Sequence, residues 1–271
     1  MPLLRAYQEK NAVLVFDSAL EESLSTYESS HLDILAKAEK SHFWFKNRRE
    51  KICQTFKRFV PKNARILEIG AGTGFVAEKL QELGYSIEVS DIHSNGLLYA
   101  KKRGLQKLYQ FDLFNPPFEE EFDVICLFDV LEHLSDEEEA LDCLKKMLKP
   151  GGLIILTVPA HSWLWSRDDV IAGHHRRFTK KHLKNAFLSS GLQPLHLSYF
   201  FSAILPFLLL RRWKKKDTGL PLRKAEILEI KMQPLMNKVM HFLTQSEFYL
   251  DGVLPNIAGG SLLGIAQRSK N

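Results

Sequence analysis

The sequence predicts an α/β protein with a doubly wound, mostly parallel seven-stranded sheet and helices on both of its faces. Three observations carry that expectation. Apolar strand runs alternate with amphipathic helices from residue 64 onward, the rhythm of linked βαβ units. A glycine-rich bend follows the first of these runs. Aspartates close the second, third and fourth runs, at the strand ends where open α/β sheets bind their ligands.

The elements follow in order. The first 60 residues read as helical, with Ile52, Phe56 and Phe59 on one face. Ala64–Gly70 (ARILEIG) reads as the first buried strand, followed by a helix with Val76, Leu80 and Leu83 on one stripe and Gly84 as its stop. Tyr85–Ser90 is the second strand, ending at Asp91; a short helix spans 94–102; Lys107–Phe111 is the third strand, ending at Asp112. Phe122–Phe128 is the fourth, ending at Asp129. Ser135 reads as the cap of the next helix, whose first turn carries carboxylates and which buries Leu141, Leu144 and Leu148 before Lys149-Pro150-Gly151-Gly152 ends it. Leu153–Val158 is the fifth strand, Thr179 opens another helix stopped at Gly191, and Leu192–Phe201 and Ser261–Gln267 are the sixth and seventh strands. The expected division is therefore an N-terminal helical cap (1–60), an α/β core (61–201), a helical insertion (202–259) and a last core strand with the C-terminus (260–271).

Composition narrows the class. At 45% hydrophobic over 271 residues, the chain can bury a substantial core. Cys53, Cys126 and Cys143 have no paired spacing and read as buried thiols in a reducing compartment. The N-terminal MPLLRAYQEKNAVLVF lacks the features of a signal peptide, and no apolar run reaches the ~18–20 residues that span a bilayer, so a cytoplasmic location is expected. Charge is uneven: net −5 over residues 1–150 and +10 over 151–271. The apolar run Tyr199–Leu210 leads into RRWKKK (Arg211–Lys216), which suits an in-plane contact of residues 199–216 with an anionic membrane surface. Aromatic and basic residues are not interleaved as stacking platforms, so nucleic acid is not expected as a partner.

LEIGAGTG (Leu67–Gly74) admits two nucleotide readings. Taken from Gly72, GTGFVA fits the G-x-G-x-x-A form of a dinucleotide loop, implying a nicotinamide-dependent oxidoreductase. Taken from Glu68, it is E-x-G-x-G-x-G with a carboxylate at the strand end. A pyrophosphate disfavours that carboxylate, whereas a cationic ammonium favours it. With Asp91 lying 21 residues after Gly70, Asp112-Leu113, FDVICLFDVLEHL and KPGGLIILTVP, the chain resembles the class I S-adenosylmethionine-dependent methyltransferases across residues 64–160 and more loosely to 200. That group has a Rossmann-like fold and includes the ubiquinone-biosynthesis O-methyltransferases and bacterial enzymes acting on lipids, sugars and natural products. SHFWFKNRREKI (Ser41–Ile52) and GHHRRFTKKHL (Gly173–Leu183) resemble segments of one bacterial subgroup often encoded near glycan or lipid genes.

The resemblance implies S-adenosylmethionine as cofactor and a small-molecule, glycan or lipid-linked acceptor, with O-methylation as the reaction. Glu68, Gly70, Gly72 and Gly74 would hold the amino-acid end of the cofactor, Asp91 and Ile92 the ribose, and Asp112 and Leu113 the adenine. Asp129 would sit beside the methyl group, with Trp44 and Arg48 also at the cofactor. His133 is the expected base, with Glu132 and His174. The D-x-x-E-H segment with a distant histidine also resembles the metal-binding set of small-RNA 2′-O-methyltransferases and some ubiquinone-pathway enzymes, which makes Glu132, His133 and His174 expected ligands of a divalent cation; Asp129 stands where that pattern has Glu. Arg48, Arg49, Arg176 and Arg177 are expected to meet a substrate phosphate or carboxylate, and Phe43–Phe45, Trp163 and Trp165 an apolar acceptor. A cofactor-binding regulatory module without turnover stays open as a third reading.

Overall fold

A computed structural model of the chain describes residues 4–17, 29–214, 232–249 and 257–270. Strands are β1 (Gln8–Lys10), β2 (Val13–Val15), β3 (Arg65–Ile69), β4 (Ser86–Asp91), β5 (Leu108–Gln110), β6 (Phe122–Phe128), β7 (Leu148–Pro159), β8 (Leu192–Phe200) and β9 (Ser261–Arg268). Helices are α1 (Ser29–Ser41), α2 (Phe43–Phe59), α3 (Phe75–Glu82), α4 (Ser94–Lys102), α5 (Glu137–Met147), α6 (Arg167–Ala172), α7 (Lys180–Ser189), α8 (Leu205–Lys214) and α9 (Pro234–Tyr249).

The sheet runs β1-β2-β5-β4-β3-β6-β7-β9-β8. β5 through β7 pair in parallel, and β9 lies antiparallel between β7 and β8. Each expected core strand is present, but the sheet has nine strands rather than seven. The additional pair is a ribbon at the N-terminal edge, inside the segment expected to be helical: β1 and β2 join through Asn11 and Ala12, both at positive φ (54° and 65°). Such a two-residue turn usually shows itself as Asn-Gly; with Ala in the second place it gives no clear signal. Two further expectations are corrected. The cap of α5 is Asp136, whose Oδ1 accepts the Glu138 and Glu139 amides, rather than Ser135. Lys149–Gly152 forms the start of β7, with a register shift opposite Phe122–Val124, rather than a connecting loop.

The sheet is buried on both faces. Along β6, Val124, Cys126 and Phe128 enter one apolar cluster with α2, α3, α4 and α9, while Ile125 and Leu127 enter another with α5 and α7. This alternation is the pleat of a strand covered on both sides. All three cysteines are buried free thiols.

The N-terminal helix α2 and the late helix α9 pack together on one face. Phe43 N–H donates to Asn237 Oδ1 at 2.7 Å, Gln245 Nε2 donates to Asn47 Oδ1 at 2.8 Å, and Asn47 Nδ2 bonds Thr244 Oγ1. Portions of the expected cap (18–28) and insertion (215–231 and 250–256), including Lys215 and Lys216 of the basic cluster, lie outside the described residues.

Candidate active site

The site lies at the C-terminal ends of β3, β4, β5 and β6. β3 places Glu68 one residue short of its end, 3% exposed, and the chain then turns through Gly70 and Gly72 into α3, for which Gly74 is the cap. Gly70 has φ +69°, and a Cβ there would stand 2.5 Å from Val130 Cγ2, so only glycine lets the bend close against the turn after β6. A Cβ on Gly72 would meet nothing within 4 Å, so this part of the bend faces open space.

Glu68 Oε2 is buried with no hydrogen-bond partner. Burial pushes its carboxyl up to about 8, against the opposing pull of Arg48. Asp91 ends β4 and accepts the Gly72 amide (2.8 Å) and the His93 amide (2.8 Å). Burial raises its pKa, and these amides oppose the rise. A carboxylate has about four acceptor positions, so two amides leave capacity for ribose hydroxyls. Ile92 follows, its carbonyl accepting from Gln110 Nε2 at 3.1 Å. A carboxylate with one orphaned oxygen, an open glycine bend and a half-used aspartate fit a ligand that carries an ammonium and a ribose.

At the β5 end, Asp112 Oδ1 accepts the Phe114 amide (3.0 Å) and Leu113 is buried. Just after β2 stands Asp17, which no sequence motif marks: its Oδ2 accepts the Asp112 amide at 3.1 Å, and it is held by Arg5.

Asp129 ends β6 with φ +59°, a left-handed conformation unusual for a residue with a side chain. Its amide donates to the Thr157 carbonyl (2.9 Å) and its Oδ1 accepts from Thr157 Oγ1 (3.2 Å). Arg48 forms an ion pair with Asp129, donates to the Phe128 carbonyl at 3.3 Å, and lies over the Trp44 ring at 4.6 Å. Thus Arg48, Trp44 and Asp129, expected individually at the cofactor, form one unit that ties α2 to β6.

Past Asp129, a single 3₁₀ turn (Leu131–His133) carries Glu132 and His133. Glu132 is 0% exposed and neither carboxylate oxygen has a hydrogen-bond partner. Burial, then Asp129, drives its pKa well up. The His133 pKa is lowered, chiefly by burial and then by His174. The loop after α6 brings His174 against them, with ring centroids of His133 and His174 4.8 Å apart. One ligand atom each from Glu132, His133 and His174 falls within 4.8 Å of the others. His174 Nε2 is 3.9 Å from Glu132 Oε1.

The structure places the expected anion-binding arginines elsewhere. Arg176 pairs with Glu137 (3.0 Å), Arg177 with Asp169 (2.7 Å), and Arg49 lies over the Phe75 ring at 3.8 Å. Phe43 is core, and Trp163, 44% exposed, stacks on His161. Besides Asp17, two further residues were unmarked in the sequence. Asp169 holds His174; His161, at φ +57°, has a buried Nε2 without a hydrogen-bond partner. Asp169 is legible in retrospect as the far member of a capping box with Ser166; nothing in the sequence marks His161.

This order of strands, with a glycine bend after the central one and acidic residues ending its neighbours, defines the class I methyltransferase fold. The family model described as a methyltransferase domain matches residues 44–197, and the chain belongs to that family, of the S-adenosylmethionine-dependent type. Among curated relatives, the ubiquinone biosynthesis O-methyltransferase of Bartonella tribocorum is 32% identical over 126 residues, covering 42% of this chain and 51% of that protein. The protein of the same name from Dinoroseobacter shibae is 34% identical over 100 residues, covering 35% and 40%. The chain thus spans about half the length of the curated relatives it matches. Among solved structures, Haemonchus contortus phosphoethanolamine N-methyltransferase 2, in complex with S-adenosyl-L-methionine, superposes with TM-score 0.59 at 16% identity, covering 92% of this chain and 60% of that one. A SAM-dependent methyltransferase of Thermotoga maritima does so with TM-score 0.57 at 16% identity, covering 93% and 99%. The family assignment makes S-adenosylmethionine the cofactor and sets aside the dinucleotide reading of Gly72–Ala77.

Proposed function

We propose that the chain catalyses methyl transfer from S-adenosylmethionine to an oxygen of a small-molecule, glycan or lipid-linked acceptor. We propose further that Glu132, His133 and His174 hold a divalent cation where that acceptor binds. The observation that carries the second part is Glu132: a fully buried carboxylate with no hydrogen bond on either oxygen, facing two imidazoles. Burying such a group is costly unless a cation or proton completes it.

S-adenosylmethionine supplies a methyl group already activated on a sulfonium, so the chain's work is alignment. In this proposal Glu68 faces the cofactor ammonium, Gly70, Gly72 and Gly74 pass beneath the methionyl part, Asp91 accepts from the ribose, and Asp112, Leu113 and Asp17 line the adenine end. Arg48 and Trp44 fix Asp129 at the rim between the cofactor and the acceptor. A divalent cation at such a site supplies charge neutralisation and a lowered pKa for an acceptor hydroxyl. Without one, His133, held neutral by its lowered pKa, is the base.

The segment 202–259 is proposed to serve the acceptor or a membrane surface. Among the described residues it exposes Phe207, Leu209 and Leu210 on α8 and Leu235, Val239 and Phe242 on α9. The sequence continues from the first group into Arg211–Lys216, a composition that suits an anionic lipid interface. No described helix is long and apolar enough to cross a membrane.

Transfer of a labelled methyl group into hydroxyl-bearing small molecules and lipid extracts, with and without chelation, tests the first two parts. An alkali-stable methyl ether whose formation stops on chelation and resumes with Mg²⁺ or Mn²⁺ is expected. Undiminished transfer after thorough chelation removes the cation, and label found only on nitrogen removes the acceptor class. Flotation with anionic vesicles tests the third; equal recovery in the soluble fraction for the protein and for a Phe242→Glu, Leu235→Glu variant counts against it.

A further inference from the structure

We propose that Asp169 is a positioning residue, fixing the His174 ring so that Nδ1 carries its hydrogen and Nε2 turns an unshared pair toward Glu132 and His133. Asp169 is 0% exposed. Its Oδ2 accepts the Ser166 amide at 2.8 Å and Arg177 Nη2 at 2.9 Å; its Oδ1 accepts Arg177 Nε at 2.7 Å and stands 2.9 Å from His174 Nδ1. A carboxylate gripped by a guanidinium fork is ionised and can only accept. The hydrogen in the contact with His174 therefore sits on Nδ1, and in the neutral ring Nε2 has none.

The surroundings hold this arrangement from both sides. His174 N–H donates to the Asp169 carbonyl at 2.9 Å, and His175 N–H donates to the Glu132 carbonyl at 2.8 Å. The loop is thus tied to α6 and to the turn after β6 at once. Arg177 Nη1 donates to the Ala160 carbonyl at 3.2 Å, anchoring the fork just beyond the end of β7. A continuous path runs from the sheet through Arg177 and Asp169 to His174 and the site. Capping α6 requires only the Ser166 contact on Oδ2; it does not explain why Oδ1 meets an imidazole. A carboxylate behind the outward nitrogen is how proteins set the tautomer and direction of a working histidine, whether it binds a metal or takes a proton.

The first readout is independent of the proposed cation; the second rests on it. Imidazole nitrogens of ¹⁵N-labelled protein are observed by long-range proton–nitrogen correlation, with His174 assigned by the signals missing in His174→Gln. Mn²⁺ affinity is measured by titration on the same samples. The wild type is expected to show His174 as the Nδ1–H tautomer. Asp169→Asn should lose that tautomer and bind Mn²⁺ about 10–100-fold more weakly. Asp136→Ala, which removes the helix cap of α5, should lower stability yet leave both readouts close to wild type, separating positioning from a general loss of stability. An Nε2–H tautomer in the wild type overturns the proposal without any variant, as does Asp169→Asn with unchanged tautomer and Mn²⁺ affinity. If no protein binds Mn²⁺ yet the tautomer is Nδ1–H in the wild type and lost in Asp169→Asn, the positioning stands and the cation reading falls.

Discussion

Asp91 and Glu132 are both buried carboxylates near strand ends of one sheet, but their surroundings differ. Asp91 already accepts two backbone amides from the glycine bend and the start of α4. Glu132 accepts no hydrogen bond; Asp129 opposes its ionisation, and the cations that favour it, Arg48 and Arg177, are themselves paired with Asp129 and Asp169. At the end proposed for the cofactor, Asp91 is therefore largely satisfied by backbone amides, while Glu68 beside it keeps one oxygen without a hydrogen bond. At the end proposed for the acceptor, neither oxygen of Glu132 is hydrogen-bonded, and a cation or a proton would complete it.

The largest expected effect breaks the satisfied end. Asp91→Ala removes the acceptor for the ribose hydroxyls and two amides, and hydrogen bonds to charged groups contribute roughly 1.5–3 kcal/mol each, so affinity for S-adenosylhomocysteine by calorimetry should fall on the order of 100-fold or more. An affinity within a few-fold of wild type would mean that the ribose lies elsewhere.

The contrasting substitution is Glu132→Gln. Replacing a buried carboxyl that has no hydrogen bond by its uncharged isostere should leave the melting temperature unchanged or higher while abolishing Mn²⁺ binding. A lower melting temperature would show that Glu132 is satisfied in the folded protein and that the contrast drawn above is false.

Glu68 sharpens the comparison through pH. Its folded pKa of about 8 lies above its ordinary value of 4.5. The folded state then holds the proton more tightly, so stability should fall as pH rises from 4.5 through about 8 in the ligand-free protein. Glu132, raised in the same direction, adds to that slope. Glu68→Gln should flatten the slope in part. An ammonium beside Glu68 favours its ionised form, so cofactor binding near pH 7 should release a proton into the buffer, and the Gln variant should lose that release. Stability rising over this range, or equal proton release in both proteins, would contradict the assignment.

The smallest effect lies outside both ends. Asp136→Ala should cost about 1 kcal/mol by urea unfolding, the ordinary loss for a helix cap, with cofactor binding unchanged.

The core of the fold was legible because both-face burial leaves continuous apolar runs, as in Phe122–Phe128 and Leu153–Val158, and because each run is punctuated by Gly or Asp. The N-terminal ribbon was not, since three-residue strands joined by Asn-Ala carry almost no local signal and gain their stability from pairing with β5. At the site, Glu68, Asp91 and the Glu132–His133 pair were singled out by the resemblance of their motifs to a known family, and the strand runs before them set their places at the sheet's edge. The roles of the arginines could not. Arg48, Arg176 and Arg177 have the composition of an anion-binding set, and only the folded chain shows that Asp129, Glu137 and Asp169 take them. Asp169 lies five residues before His174, but their contact depends on how α6 and the loop after it turn back.

The central claim is that the glycine bend and its flanking carboxylates form a site for a methionine-derived nucleoside. Calorimetric titration of the wild-type protein with S-adenosylhomocysteine and, separately, with a nicotinamide dinucleotide tests it most directly. Saturable heat at one site per chain with the first ligand and none with the second is predicted. No heat with S-adenosylhomocysteine, together with saturable binding of the dinucleotide, would contradict the account.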